Sequence, residues 1–259
     1  MLVGVIHLPA LPGSPGSKLS ARECAASAAR CARALVGYDA IIVENFGDAP
    51  FFAGKVPPVT VAAMTACALA VREAAPSTKL GINVLRNDGE AALSIAACVD
   101  AAFIRVNVLT GARVTDQGII QGDAANLARL RRSLNERIDI WADVDVKHSS
   151  PLGAPRPIVQ EVEDTAKRAL ASVVLVTGEG TGKGVDLEKL ASVKMAAGAV
   201  PVLVASGATL ATLDALAPHA DGVIVGSALR IDGVPGGSVD ATLAKTFASA
   251  FRRVFQKTP

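Results

Sequence analysis

The sequence predicts an α/β protein closed as a (β/α)₈ TIM barrel, occupying residues 1–259 as one domain. Three observations predict it. Eight short apolar runs, mostly rich in Val and Ile, recur along 259 residues, a typical length for this barrel. Each run is followed by a helical pattern, which is how parallel strands buried between layers read. The long connections gather after the runs rather than before them, as barrel loops do at the catalytic end.

In order, the runs are Leu2 to His7, Ala40 to Glu44, Lys79 to Val84, Ala102 to Val106, Ile138 to Val146, Ser172 to Val176, Pro201 to Ala205 and Gly222 to Val225. A doubly wound open sheet is the alternative, but it needs edge strands, and no run carries a proline in its interior. Longer connections follow the first run (Pro9 to Ser17), the second (Asn45 to Pro58) and the fourth (Asn107 to Gly122). The last helix is expected over Leu243 to Lys257, where Leu243, Phe247, Phe251 and Phe255 share one face. That stripe is expected to pack on the sheet, with an anionic membrane surface as the other reading.

Composition excludes several classes. A net charge of +2 with scattered basic residues and 3% aromatics gives no phosphate-tracking stripe for nucleic acid. Cys24, Cys31, Cys67 and Cys98 lie in alanine-rich helical stretches without ligand spacing and read as small core residues. No secretory signal and no transmembrane span is read, so a cytoplasmic location is expected; a homo-oligomer is expected only on general grounds.

The fifth run carries the most chemistry. Ile138, Ile140, Ala142, Val144 and Val146 alternate with Asp139, Trp141, Asp143, Asp145 and Lys147. Side chains alternate across a strand, so the aliphatic set should meet the helices while Asp143, Asp145 and Lys147 stack inside the barrel toward its mouth. Carboxylates beside Lys147 would favour its charged form, making it a cationic acid or clamp ahead of a Schiff-base nucleophile, with Asp143 or Asp145 as base or Mg²⁺ ligand. Arg105 and Asn107 face the lumen from the fourth run; Glu44 and Asn45 close the second, Asn83 and Arg86 lie at the end of the third, and His7 ends the first.

Glycine turns follow the last three runs: Thr177, Gly178, Gly180, Thr181 and Gly182; Ser206 and Gly207; Gly226 and Ser227. Turns of small residues free backbone N–H groups for an anion, and barrel loops after the last two strands are a frequent phosphate site. The sixth-run turn lacks the Gly-Lys-Ser/Thr ending of a nucleotide loop. No nucleotide cofactor is therefore indicated.

Several segments resemble the BtpA/SgcQ family. They include Gly4-Val5-Ile6-His7-Leu8-Pro9, Val43-Glu44-Asn45-Phe46-Gly47-Asp48-Ala49-Pro50-Phe51, Asn83-Val84-Leu85-Arg86-Asn87-Asp88, Phe103-Ile104-Arg105-Val106-Asn107, Ala142-Asp143-Val144-Asp145-Val146-Lys147-His148 and Ile224-Val225-Gly226-Ser227-Ala228. The resemblance implies a TIM barrel of the ribulose-phosphate-binding-like group. It also implies two functions: BtpA is named for photosystem I biogenesis at membranes, and SgcQ from a sugar-utilisation gene context. Ala205 stands where that pattern has a glycine before Ser206-Gly207.

The expected function is an enzyme acting on a phosphorylated sugar or nucleoside-related metabolite. Lyase, isomerase and glycosidic-bond transfer all suit these residues. The alternative is a non-catalytic biogenesis or assembly factor, and fold alone does not separate the two.

Overall fold

The computed structural model describes residues 1–135, 137–178 and 184–255. Eight parallel strands close a barrel: β1 (Leu2–His7), β2 (Ala40–Glu44), β3 (Lys79–Asn83), β4 (Phe103–Val106), β7 (Asp139–Val144), β9 (Val173–Val176), β10 (Val202–Val204) and β11 (Gly222–Val225), with β11 pairing back to β1. Alternating faces split the interior in two. Val3, Val5, Ile42, Trp141, Leu175 and Ile224 fill the lumen floor. Their neighbours, among them Ile6, Ile41, Ile140, Val144 and Val174, join the larger core beneath the helices. The expected alternation of the fifth barrel strand is thus observed. On the floor, Phe103 stacks on Trp141 with ring centroids 3.6 Å apart. A Cβ on Gly81 would lie 2.2 Å from the Phe103 ring, so this layer needs a glycine.

Helices α1 (Ala21–Ala34), α2 (Pro58–Ala74), α3 (Gly89–Cys98), α4 (Ala124–Leu134), α5 (Ile158–Glu163), α6 (Leu187–Ala197), α7 (Leu213–Leu216) and α8 (Ala241–Phe255) surround the sheet. Local sequence sets their starts. Ser20 and Glu23 form a capping box on α1, Asp88 caps α3 through Ala91 N–H, Asp186 caps α6, and Pro58 opens α2. Phe247 and Phe251 of α8 are buried in the core, so the apolar stripe of the last helix faces the barrel. Among the described residues no helix is long and apolar enough to cross a membrane. Cys24, Cys31 and Cys67 are buried as expected; Cys98, in the last turn of α3, is exposed instead.

Two connections differ from their reading as plain loops. The segment after β4 folds into a hairpin, β5 (Ala112–Thr115) and β6 (Gly118–Gln121), whose turn uses Gly118 at φ +103°. Strand β5 also pairs with β8 (Ser149–Pro151) from the loop after β7, giving a three-stranded antiparallel flap at the C-terminal rim. The remaining rim loops are stitched by side chains. Leu11 N–H donates to Asp48 Oδ1, Leu85 N–H to Asn45 Oδ1 and Val108 N–H to Asn87 Oδ1, at 2.7–2.8 Å. The backbone of Ala10 comes so close to Gly47 that a Cβ there would sit 2.3 Å from Ala10 N.

Candidate functional site

Strand register brings the first groups together. His7 pairs with Glu44 and Glu44 with Asn83, so the ends of β1, β2 and β3 stand at one level of the rim. Arg105 and Asp143 rise from β4 and β7 beside them. Arg105 donates from Nε and Nη2 to the two oxygens of Asp143 at 3.1 and 3.0 Å, and Asn107 Nδ2 adds a third bond at 2.7 Å. Asn83 Nδ2 donates to Arg105 O and to Asn107 Oδ1, each at 3.1 Å. The Asp143 side chain is fully buried. Three charge-assisted or amide hydrogen bonds thus hold this carboxylate in place.

Above the clamp lies a cavity of about 280 Å³. His7, Glu44, Arg86, Arg105, Asn107 and Lys147 line it together with Ser206, Gly207, Gly226 and Ser227, and Phe46, Phe51 and His148 complete the lining. Most of the predicted site residues are therefore brought to one place. The seventh- and eighth-strand turns adjoin each other, as expected, and Gly207 adopts φ +81°.

The charges balance differently from the sequence reading. Strand β7 ends at Val144, and Asp145 enters the left-handed region at φ +44°. This turn carries Asp145 out of the lumen. It pairs there with Arg113 of the flap and Lys189 of α6, while its N–H donates to Glu161. Asp145 opposes its own charge by burial, but Lys189 and Arg113 outweigh that and hold its carboxyl below the usual range.

Lys147 returns to the cavity without either aspartate as a partner. Its Nζ donates to Ser206 Oγ at 3.3 Å, and no carboxylate among the described residues lies within ion-pair distance of it. Burial pushes its ammonium below the ordinary lysine value, and Arg105 adds to this against the pull of Glu44 and Asp143. The expected upward shift is corrected, because burial, with Arg105 beside it, outweighs the pull of the nearby carboxylates. The Lys147 backbone is fixed at both ends: its N–H donates to Thr177 Oγ1 at 3.0 Å and its carbonyl accepts from Arg86 Nη2 at 2.9 Å.

Thr177 thus supports Lys147 from beneath instead of lining the cavity, and Gly178 is buried beside it. Gly180, Thr181 and Gly182 lie outside the described residues.

Glu44 is a buried carboxylate with Arg105 Nη1 and His7 Nε2 each 3.8 Å away. Burial raises its pKa, although Arg105, Lys147 and Arg86 pull it down. His7 accepts from Gly236 N–H at Nδ1, 3.0 Å away, so the neutral ring carries its proton on Nε2, toward Glu44. Burial lowers the His7 pKa to about 3, with Arg230, Lys147 and Arg105 contributing. The His7–Glu44 approach is therefore a polar contact and not an ion pair.

One arginine named at the end of the third run, Arg86, joins the site, and one, Arg230, escaped the sequence reading. Arg86 is 8% exposed, lines the cavity and spends one bond on Lys147 O. Its signal was present in the Asn-Val-Leu-Arg-Asn-Asp segment. Arg230 donates to the carbonyls of Gly226, Gly236 and Val5, binding the eighth-strand turn to β1. No local signal marks it. Among the described residues no group of three His, Cys, Asp or Glu side chains is placed to hold a metal. With Arg105 on Asp143 and between it and Glu44, the cavity suits an anion better than Mg²⁺.

Solved barrels share this architecture. N-(5'-phosphoribosyl)anthranilate isomerase from Pyrococcus furiosus aligns with a TM-score of 0.59 at 14% identity, covering 98% of this chain and 100% of that one. 3-Keto-L-gulonate-6-phosphate decarboxylase from Vibrio cholerae aligns at 0.59 and 14%, covering 99% and 97%. At that identity the likeness is one of fold. Sequence relatives are much nearer. Photosystem I biogenesis protein BtpA of Synechocystis is 42% identical over 260 residues, 100% of this chain and 90% of that protein. An uncharacterized protein of Thermococcus kodakarensis is 46% identical over 236 residues, 90% and 87% of the two chains. The BtpA family model matches residues 1–253, and the chain is a member of the BtpA family.

Proposed function

We propose that this chain is an enzyme that binds a phosphorylated small metabolite in the barrel mouth. The phosphate sits on Ser206, Gly207, Gly226 and Ser227, and proton transfer takes place at Lys147 and Glu44. The observation that carries this reading is the cavity itself: a half-buried ammonium without a carboxylate partner and a buried carboxylate face two adjoining glycine turns. A lysine shifted down and a glutamate shifted up approach each other in proton affinity, which is the condition for acid and base work near neutral pH. Buried polar groups cost stability unless they serve a site, so an inert barrel would gain from aliphatic residues at these positions. The two solved barrels are named for a phosphoribosyl compound and a 6-phosphate, which lends support by analogy of fold.

The name of the Synechocystis relative favours a second reading, a role in assembling a membrane complex. That role requires a partner surface and leaves the cavity unexplained. The test is thermal melting with inorganic phosphate and ribose 5-phosphate, in the wild type and in Ser227→Glu. A ligand at 100 times its Kd stabilises by about 2.7 kcal/mol, a shift of several degrees. Stabilisation lost in Ser227→Glu is expected. A wild type that ignores every phosphorylated compound refutes the proposal.

A further inference from the structure

We propose that Lys147 Nζ is a nucleophile that condenses with the carbonyl of a short phosphorylated aldehyde or ketone, forming an imine in the barrel mouth. This rests on the phosphate reading above and adds to it the substrate's reactive group.

Four observations carry it. First, the amine is uncommitted to any carboxylate: Asp143 is held by Arg105 and Asn107, Asp145 by Arg113 and Lys189, and Nζ itself contacts only the Ser206 hydroxyl among the described residues. Second, the charged groups around it come from every neighbouring strand end: Arg105 from β4, Arg86 after β3, Glu44 from β2 and Asp143 from β7. The neutral His7 lies opposite on β1. Burial disfavours the ammonium and the two guanidiniums in that set work in the same direction, so the free amine is more accessible than in an ordinary lysine.

Third, the lysine's backbone is clamped by Thr177 below and Arg86 above, which aims the side chain. Fourth, a proton carrier shares the cavity in the buried Glu44 carboxyl, with the neutral His7 Nε2–H beside it as a hydrogen-bond donor.

The step needs no oxidant, reductant or metal. The Nζ lone pair forms a bond to the carbonyl carbon, and one of the two nitrogen protons passes to the carbonyl oxygen to give a neutral carbinolamine. The hydroxyl then leaves as water with a proton delivered by Glu44, the carbon–nitrogen double bond forms, and the remaining nitrogen proton returns to Glu44. In sum, amine and carbonyl become imine and water. Because Nζ touches Ser206, the first residue of a phosphate turn, the carbonyl must lie only a few atoms from the phosphate.

The experiment incubates the full chain with glyceraldehyde 3-phosphate, or with glyceraldehyde, in the presence of cyanoborohydride, which reduces an imine to a stable secondary amine. Peptide mass mapping then locates the adduct. The expected result is modification of Lys147 at least about tenfold faster than of the exposed Lys55 at neutral pH, faster with the phosphorylated aldehyde and suppressed by inorganic phosphate. Lys147→Arg should melt like the wild type and lose the adduct; the wild-type map decides alone if that variant does not fold. Stabilisation by inorganic phosphate with no preferential Lys147 adduct overturns the lysine chemistry and leaves the phosphate reading standing. Equal labelling of Lys147 by both aldehydes, unaffected by phosphate, upholds the nucleophile and overturns the phosphorylated substrate class.

Discussion

Replacing Asp143 with leucine should cost this fold far more than the loss of an ordinary ion pair. The Asp143 side chain has no exposure and that of Arg105 has 7%, so solvent screens neither. Three hydrogen bonds end on the carboxylate, two of them from the Arg105 guanidinium. Without it, Arg105 keeps only Glu44 among the described residues, 3.8 Å away and itself pushed toward its neutral form by burial. Removing one partner of a buried pair costs about 3–5 kcal/mol, against at most about 1 kcal/mol for an exposed pair. For a chain of this length each kcal/mol lowers the melting temperature by about 2–3 °C, so Asp143→Leu should melt about 10 °C lower. The double variant Asp143→Leu with Arg105→Met removes both charges and should recover at least half of that loss. Differential scanning fluorimetry, checked by urea unfolding, measures both. A drop below about 2 °C, or a double variant worse than the single, refutes the account of this clamp as a mutually dependent buried pair.

Three further outcomes are expected. The folded His7, with its pKa near 3, binds no proton where an unfolded imidazole titrates at 6.5. Stability should therefore fall as pH drops below about 6.5, by up to about 1.4 kcal/mol per unit. Glu44, shifted upward, acts in the opposite sense, so the measurement is the difference between wild type and His7→Gln by urea unfolding at pH 7 and pH 5. A difference unchanged between the two pH values contradicts the buried neutral ring. Gly81→Ala should destabilise by about 1–3 kcal/mol, because the added methyl meets the Phe103 ring, and Phe103→Leu should restore much of the loss in melting temperature. Arg113→Ala should raise amide hydrogen exchange in both 112–121 and 149–151, since Arg113 joins Ser149, Asp145 and Glu161 beneath the flap; faster exchange in only one of those segments would separate them.

The barrel was legible because its strands repeat one chemical statement, apolar runs followed by helices, and because period-two alternation on β4 and β7 names the lumen face. Arg105, Asn107 and Asp143 were placed correctly by that rule alone. It failed at Asp145, one residue beyond the strand, where a left-handed turn breaks the alternation. Nothing local announces that turn, since its partners Arg113 and Lys189 lie 32 and 44 residues away in sequence. The proton affinity of Lys147 was misread for a related reason. Proximity along a strand suggested a carboxylate partner, while Asp143 is bound by Arg105 of the neighbouring strand and burial of the ammonium dominates. The flap was missed although Thr115-Asp116-Gln117-Gly118 carries a glycine hairpin signal, because its strands are four residues long and its third member arrives from another loop.

The join between β11 and β1 has a consequence for how the molecule comes into being. Leu2 pairs with Val223 and Gly4 with Val225, and Arg230 fastens the turn beyond β11 to Val5. His7 contacts the Gly226 turn across the same junction. A growing chain makes β1 first of the barrel strands and β11 last, so the pocket wall spanning that junction cannot exist until the eighth barrel strand has been made. Ligand occupancy would then certify a completed ring, and an occupant bridging both sides would act as a rivet, selectively slowing the parting of the first and final strands.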